Sequence, residues 1–216
     1  MKILSFDGAL GEFELTLLDG ERSLATRSVG AKRALEAGLR ALAEILDEAK
    51  LAPQALDRLA VGLGPGGFTG LRIALAYAKA LAFAWQLPLV GISSFDTLSF
   101  GETGSPQLAV VAGRPGVISA RLRSASSEAR ASGPIAEVLA ELLPTPLPGV
   151  LAVVGAPEGV LAALAERGQS VNPNPSPTHP SLAIAHLARI AQPAASPHAL
   201  VADYGEAPAA KIAARA

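Results

Sequence analysis

Hydrophobic and polar positions change period several times along the chain. Lys2–Asp7 is a short apolar run closed by an acid and predicts a buried strand. After a turn over 8–11, residues 12–18 alternate, with Phe13, Leu15 and Leu17 set against Glu12, Glu14 and Thr16. That is the period-two signature of a half-buried strand. Asp19-Gly20 signals a hairpin, and residues 21–28 complete a three-stranded meander. Over 29–50 the period becomes helical: Leu35, Leu39, Leu42, Ile45, Leu46 and Ala49 share one face, with Glu36, Arg40, Glu44, Asp47 and Glu48 between them. Gly38 costs such a helix about 1 kcal/mol against Ala, which marks a place of close approach. Residues 58–63 predict a fourth strand, the loop 64–69 opens a helix reaching Trp85, 88–92 is a fifth strand, and Ser93-Ser94 caps a short helix ending near Phe100.

The stretch 101–106, with Gly, Thr, Ser and Pro, is a linker. The second half predicts strands at 107–112, 117–123 and 150–154 and helices near 134–142, 158–167 and 181–190. From Gln192 the chain is rich in Ala and Pro, with Leu200, Val201, Tyr204 and Ile212 among its few large apolar residues, and the last dozen residues are expected to fray. The β-β-β-α-β-α-β-α order of the first hundred residues resembles the ribonuclease-H-like lobe of the actin, sugar-kinase and Hsp70 superfamily. The shorter repeat after it implies a second, reduced lobe. The expectation is an α/β chain of two such lobes, an N-terminal one over 1–100 and a smaller C-terminal one with an Ala/Pro-rich tail over 107–216.

The helix after the glycine loop is apolar on too many faces for one sheet. Gly70, Ala74, Ala78 and Ala82 make a stripe of small residues, and Ile73, Tyr77, Leu81 and Trp85 a stripe of large ones. Only Arg72, Lys79 and Gln86 break the apolar surface. A helix on one sheet needs one apolar face, so either both lobes bury this helix or another chain does. Composition points the same way. Half the residues are hydrophobic and 17% charged, a low charge for a small monomer that must stay soluble. The net charge of -1 gives no electrostatic footprint for nucleic acid.

Candidate chemistry is thin. With no cysteine there is no thiolate nucleophile and no Cys-ligated metal. His179 and His186 are seven apart with no acid between them, and His198 is isolated, so no metal motif is present. No serine stands in a Gly-x-Ser-x-Gly elbow. Arg114 reads as a lone surface or salt-bridged arginine. The motif Gly64-Pro65-Gly66-Gly67-Phe68-Thr69-Gly70-Leu71-Arg72 lacks the Gly-Lys-Ser/Thr ending of a P-loop. Its glycines permit positive φ or close approach, and Thr69 is expected as the N-cap. A helix N-terminus with bare amides can bind an anion, but the glycines alone favour a tight structural turn. Asp7, Gly66 and Thr69 are the candidates for nucleotide contact. Asp7 has no hydroxyl after it and no second acid at 111–116, so it reads as a turn-capping residue rather than a metal ligand. The opening apolar run is too short for a signal peptide and ends in an acid. The run over 73–85 holds Lys79 and is too short to span a bilayer. A soluble cytoplasmic protein is expected.

The same motif resembles the Gly-Pro-Gly-Ser-Phe-Thr-Gly-Leu-Arg signature of the TsaB (YeaZ) family. The resemblance continues in register through Lys79-Ala80-Leu81-Ala82 and Pro88-Leu89-Val90-Gly91-Ile92-Ser93-Ser94. It implies an accessory, non-catalytic paralogue of TsaD, the subunit that places threonylcarbamoyl on adenosine 37 of tRNA. It further implies a TsaE-type ATPase as third partner, a homodimer when alone, tRNA met only indirectly, no membrane, no intrinsic cofactor, and ATP or ADP only in the assembled complex. Partner contacts are then expected at Leu39, Gly70, Ala74, Tyr77, Ala78, Leu81, Ala82 and Trp85. The glycoprotease-like label once attached to the family has no metal motif behind it here. Gly8-Ala9 stands where the family carries Thr-Ser, Gly67 replaces the motif serine, Ala34-Leu35-Glu36 stands for His-Ser-Glu, and Ala112-Gly113-Arg114 for Asp-Ala-Arg. These losses weaken any nucleotide site. The alternatives are a small ATPase or phosphotransferase using Asp7 and the loop, and a stand-alone dimeric scaffold.

Overall fold

A computed structural model describes residues 1–104, 106–174 and 177–205. It contains two five-stranded mixed sheets. The first has the order β3-β2-β1-β4-β5, built from β1 (Lys2–Asp7), β2 (Phe13–Asp19), β3 (Arg22–Val29), β4 (Arg58–Gly62) and β5 (Leu89–Ile92). β1 pairs antiparallel with β2 and parallel with β4, so it is the central strand. The second sheet has the order β10-β9-β6-β7-β8, from β6 (Gln107–Ala112), β7 (Val117–Arg123), β8 (Glu128–Pro134), β9 (Leu151–Val154) and β10 (Val171–Asn174). Read from its third strand, it repeats the first order. The molecule is therefore two ribonuclease-H-like lobes.

The reduction of the second lobe lies in its helices. α1 (Ala34–Glu48) and α2 (Phe68–Trp85) of the first lobe have 15 and 18 residues, whereas α4 (Ile135–Leu142) and α5 (Glu158–Glu166) have eight and nine. The strand count is complete because β8 and β10 are present, and both lie at the edges of their sheet. Of β8 only Ala131 is buried, and β10 has no buried residue. Neither carries the alternation that reveals a half-buried strand.

The first sheet buries α1 and α2 on one face, around Leu4, Phe6, Phe13, Leu15, Ile45 and Leu59. Its other face buries α6 (Pro180–Leu187), through Ile3, Ala60, Val90, Ile184 and Ala185. A division at residue 107 assigns α6 to the second lobe, but the chain crosses back. Residues 180–188 and then Leu200 and Ala202 pack on the first lobe. Conversely α3 (Ser94–Leu98) turns Phe95 and Leu98 toward Ala109, Val111 and Val154 of the second sheet. Each lobe thus lends one segment to the other. The expected fraying of the last dozen residues falls at 205–216, of which 206–216 lie outside the described residues.

α1 starts later than its apolar period suggests. Gly30 and a 3-10 turn at Ala31–Arg33 precede it. Its core stripe is Ala34, Gly38, Ala41, Leu42, Ile45 and Leu46, so the small residues face the sheet and Leu35 and Leu39 do not.

Candidate functional site

The glycine loop joins β4 to α2 and presses on the turn that follows β1. The Gly67 amide donates to the Ala9 carbonyl at 2.8 Å. A Cβ at Gly66 would stand 2.2 Å from that same carbonyl oxygen, and one at Gly70 would stand 2.2 Å from the Gly8 oxygen. A Cβ at Gly8 would in turn meet Gly70 oxygen at 2.3 Å. The three glycines are therefore required by backbone meeting backbone. Gly66 acts by close approach, while Gly67 has an ordinary φ of -58°. The N-cap of α2 is Gly67, with no side-chain bond, and Thr69 is exposed in the first turn, so the expected threonine cap is absent. The structural-turn reading of the motif is the one the geometry supports.

Asp7 ends β1 beneath this turn and is 1% exposed. Its Oδ2 accepts from the Leu10 amide at 3.0 Å, the expected turn cap. Its Oδ1 is buried with no hydrogen-bond partner among the described residues, and a Cβ at Gly62 would lie 2.5 Å from it. Burial pushes the carboxyl up from 3.8 to about 6, the Leu10 and Ala9 amides pull it back, and the charge of Glu14 adds to the rise. Glu14 is the cross-strand partner of Asp7. It holds the start of α6 by accepting from the Ser181 hydroxyl at 3.3 Å and meeting His179 Nδ1 at 3.3 Å. Among the described residues no group of three His, Cys, Asp or Glu side chains converges to hold a metal ion. His186 stacks on Phe100 and His198 lies beside Phe83. Arg114 is in the exposed turn between β6 and β7.

α2 resolves the sequence's open question about its several apolar faces. Gly70, Leu71, Ala74, Leu75, Ala78 and Ala82 are buried on the chain's own sheet. The small stripe lets α2 lie close to its own β1 and β4, so Gly70, Ala74, Ala78 and Ala82 are not available to a partner. Among the described residues the second lobe does not cover the rest. Phe68 is 56% exposed and Phe83 71%, while Tyr77, Leu81 and Trp85 are half-buried against the core. Tyr77 ties α2 to α1: its hydroxyl donates to the Leu35 carbonyl at 2.8 Å, and its ring meets Phe13 edge-on at 5.8 Å. A Cβ at Gly38 would stand 2.7 Å from that ring, which is why α1 carries a glycine there. Beside this joint Leu35 and Leu39, one turn apart on α1, are 68% and 54% exposed. Leu39, expected as a partner contact, is exposed. Leu35 and Leu39 both fall on the apolar period of α1, yet the face of the helix that is buried is that of Ala34, Gly38, Ala41, Leu42, Ile45 and Leu46.

Sequence reasoning also missed Arg121. Its side chain is 1% exposed and reaches from β7 to α3, donating to Asp96 at 2.6 Å. Its guanidinium lies 5.4 Å from the Phe95 ring centre. Arg123 and Arg130 join the cluster around Asp96 and Glu128. Burial would raise the Glu128 carboxyl, but the Arg130 hydrogen bond and the Arg121 and Arg123 guanidinium groups together hold it low. Alternation in β7 puts Ser119, Arg121 and Arg123 on one face, a polar face that a lobe boundary would explain. A cavity of about 420 Å³ opens beside it, lined among others by Phe95, Arg130, Ser132, Glu141, Asp203 and Gly205.

The chain matches the family described as TsaD: tRNA N6-adenosine threonylcarbamoyltransferase over residues 28–196. An uncharacterised protein of Mycobacterium tuberculosis is 35% identical over 151 residues, 70% of this chain and 66% of that protein. The chain therefore spans about two thirds of the length of those mycobacterial relatives. The Bacillus subtilis tRNA threonylcarbamoyladenosine biosynthesis protein TsaB is 39% identical over 59 residues, 27% of this chain and 26% of its own. YeaZ from Pseudomonas aeruginosa superposes with a TM-score of 0.69 at 24% identity, covering 94% of this chain and all of that one. At that identity the likeness speaks for the fold. Among the described residues no helix is long and apolar enough to cross a membrane.

Proposed function

Since the chain belongs to the family of tRNA N6-adenosine threonylcarbamoyltransferase, and with it to TsaB (YeaZ), we propose that it is the accessory, non-catalytic subunit of threonylcarbamoyladenosine formation on tRNA. In this reading it binds a TsaD-type catalytic subunit through the outer surface of α1 and α2. One observation carries the reading: a surface pair of helices, locked together at Tyr77, leaves Leu35 and Leu39 in solvent on a chain whose own second lobe is elsewhere. Apolar side chains grouped on the exposed face of rigid helices mark a surface that another protein covers. Tyr77, Leu81 and Trp85, half-buried, flank that surface, while the small-residue stripe contributes by holding α2 flat. A TsaE-type ATPase and tRNA meet the assembly through the catalytic subunit, any nucleotide belongs to the assembled complex, and a homodimer covers the same surface when the chain is alone.

Lack of catalysis in the chain itself accords with its loop. The Asp7 turn and the glycine loop are in backbone contact through Gly8, Gly66 and Gly70, so packing within the lobe accounts for these glycines without a nucleotide. Reconstitution tests the proposal. A purified TsaD-type subunit supplied with the TsaE-type ATPase, ATP, threonylcarbamoyl-adenylate and tRNA should modify the tRNA only when this chain is added, and this chain alone should modify none. Equal modification with and without the chain would refute the accessory role.

A further inference from the structure

The last described segment, residues 200–205, runs along α2 and ends on the other lobe. His198 stands 6.2 Å from Phe83 near the end of α2, and the Tyr204 ring is 5.1 Å from Phe68 at its start. The segment is therefore extended and antiparallel to the helix. Leu200 and Ala202 are buried in part in the first-lobe core, and the Asp203 amide donates to the Leu63 carbonyl at 2.7 Å. Two glycines of the first lobe make room for it. A Cβ at Gly91 would lie 2.9 Å from Leu200 Cδ2, and one at Gly64 would lie 2.1 Å from the Asp203 oxygen. The segment then turns at Gly205, whose φ is +71° and whose amide donates to Asp203 Oδ1 at 2.8 Å. There it is wedged between the lobes. A Cβ at Gly205 would stand 2.2 Å from Ser119 Oγ on β7 and 3.0 Å from Pro65 Cβ in the glycine loop.

We propose that residues 200–205 are a lobe lock: a strap anchored in the first lobe that presses Gly205 between Pro65 and Ser119 and fixes the angle between the two sheets. The inference is independent of the accessory-subunit reading. β7 carries two interlobe fasteners on one face, since Ser119 meets the strap and Arg121, two residues on, meets Asp96 and Phe95 of α3. The two contacts reach different segments, the strap and α3, so a change of angle at β7 disturbs both. The strap is the weaker fastener, with one main-chain hydrogen bond to the lobe beneath it and Val201 74% exposed, which places it among the segments that open first.

The chain has no cysteine, so spin labels at Glu44→Cys on α1 and Glu166→Cys on α5, both exposed, report the interlobe distance by pulsed electron resonance in the full chain. Gly205→Val, which adds the clashing Cβ, should broaden or shift the distance distribution and speed exchange of the Asp203 amide about tenfold or more. Val201→Ser, on the solvent side of the strap, should leave both unchanged. Ser119→Leu applies the clash from the second lobe with the strap sequence intact, and it supplies the reading if Gly205→Val does not fold. A folded Gly205→Val or Ser119→Leu chain with the parent distance distribution would overturn the lock, because α3 and Arg121 would then suffice. So would a Val201→Ser chain that broadens as much.

Discussion

Replacing Asp7 by Asn should make the protein more stable at neutral pH, although Asp7 sits at the centre of the motif region. The carboxyl is 1% exposed, and burial raises it from 3.8 to about 6. A group bound more tightly by its proton in the folded state than in the unfolded one contributes stability that is complete below 3.8 and is lost as pH rises through about 6. The gap corresponds to about 3 kcal/mol of destabilisation at pH 7, where Asp7 is charged. Asn keeps an oxygen for the Leu10 amide and places its NH2 at the partnerless Oδ1 position beside Gly62. Leaving that NH2 unpaired costs about 1 kcal/mol, so a net gain of about 1–2 kcal/mol is expected. Urea unfolding followed by the single Trp85 measures it at pH 7.5 and pH 4. The difference between variant and parent should be largest at pH 7.5 and vanish or reverse at pH 4, as the parent regains its proton. A variant no more stable than the parent at pH 7.5, with a difference independent of pH, would refute the buried-charge argument.

Gly70→Ala drives a Cβ to 2.2 Å from the Gly8 oxygen and should cost about 2–4 kcal/mol in the same unfolding assay. Tyr77→Phe removes the hydroxyl that donates to Leu35 and should lose about 0.5–1.5 kcal/mol with no change in far-ultraviolet circular dichroism. Ala78→Glu buries an unpaired carboxylate at a site that is 0% exposed and should cost more than about 4 kcal/mol, seen as a collapse of the thermal transition. Arg121→Met withdraws the donor from Asp96 while keeping the aliphatic volume, and calorimetry should show a loss of about 1–3 kcal/mol.

Much of the first lobe is legible in the residues because period and burial coincide there. The alternation of Phe13, Leu15 and Leu17, the apolar run Lys2–Asp7 and the Ser93 cap, whose hydroxyl accepts from the Phe95 amide, each state their element locally. β8 and β10 are not legible because edge strands need not bury side chains. The placement of α6 is not legible either. Its apolar residues announce a helix, but which sheet it covers depends on Ile3, Ala60 and Val90, more than ninety residues away in the chain. The site was half legible. The stripe of Gly70, Ala74, Ala78 and Ala82 suggests a seam for a partner, yet small residues suit close approach to a sheet as well as to a helix, and here the sheet is the chain's own. The period of α1 sets Leu35 and Leu39 with the core, whereas both are exposed. Arg121 and the Gly205 wedge were invisible because each depends on a contact between lobes.

The central claim is that the exposed leucines of α1 are anchors for a catalytic partner. The most direct measurement is size-exclusion chromatography with light scattering of this chain mixed with a TsaD-type subunit, comparing the parent with Leu35→Glu/Leu39→Glu. Both positions are solvent-exposed, so the double variant should keep its unfolding free energy within about 1 kcal/mol. The account predicts a stable complex with the parent and none with the variant. No complex with the parent, or an undiminished complex with a folded variant, would contradict it.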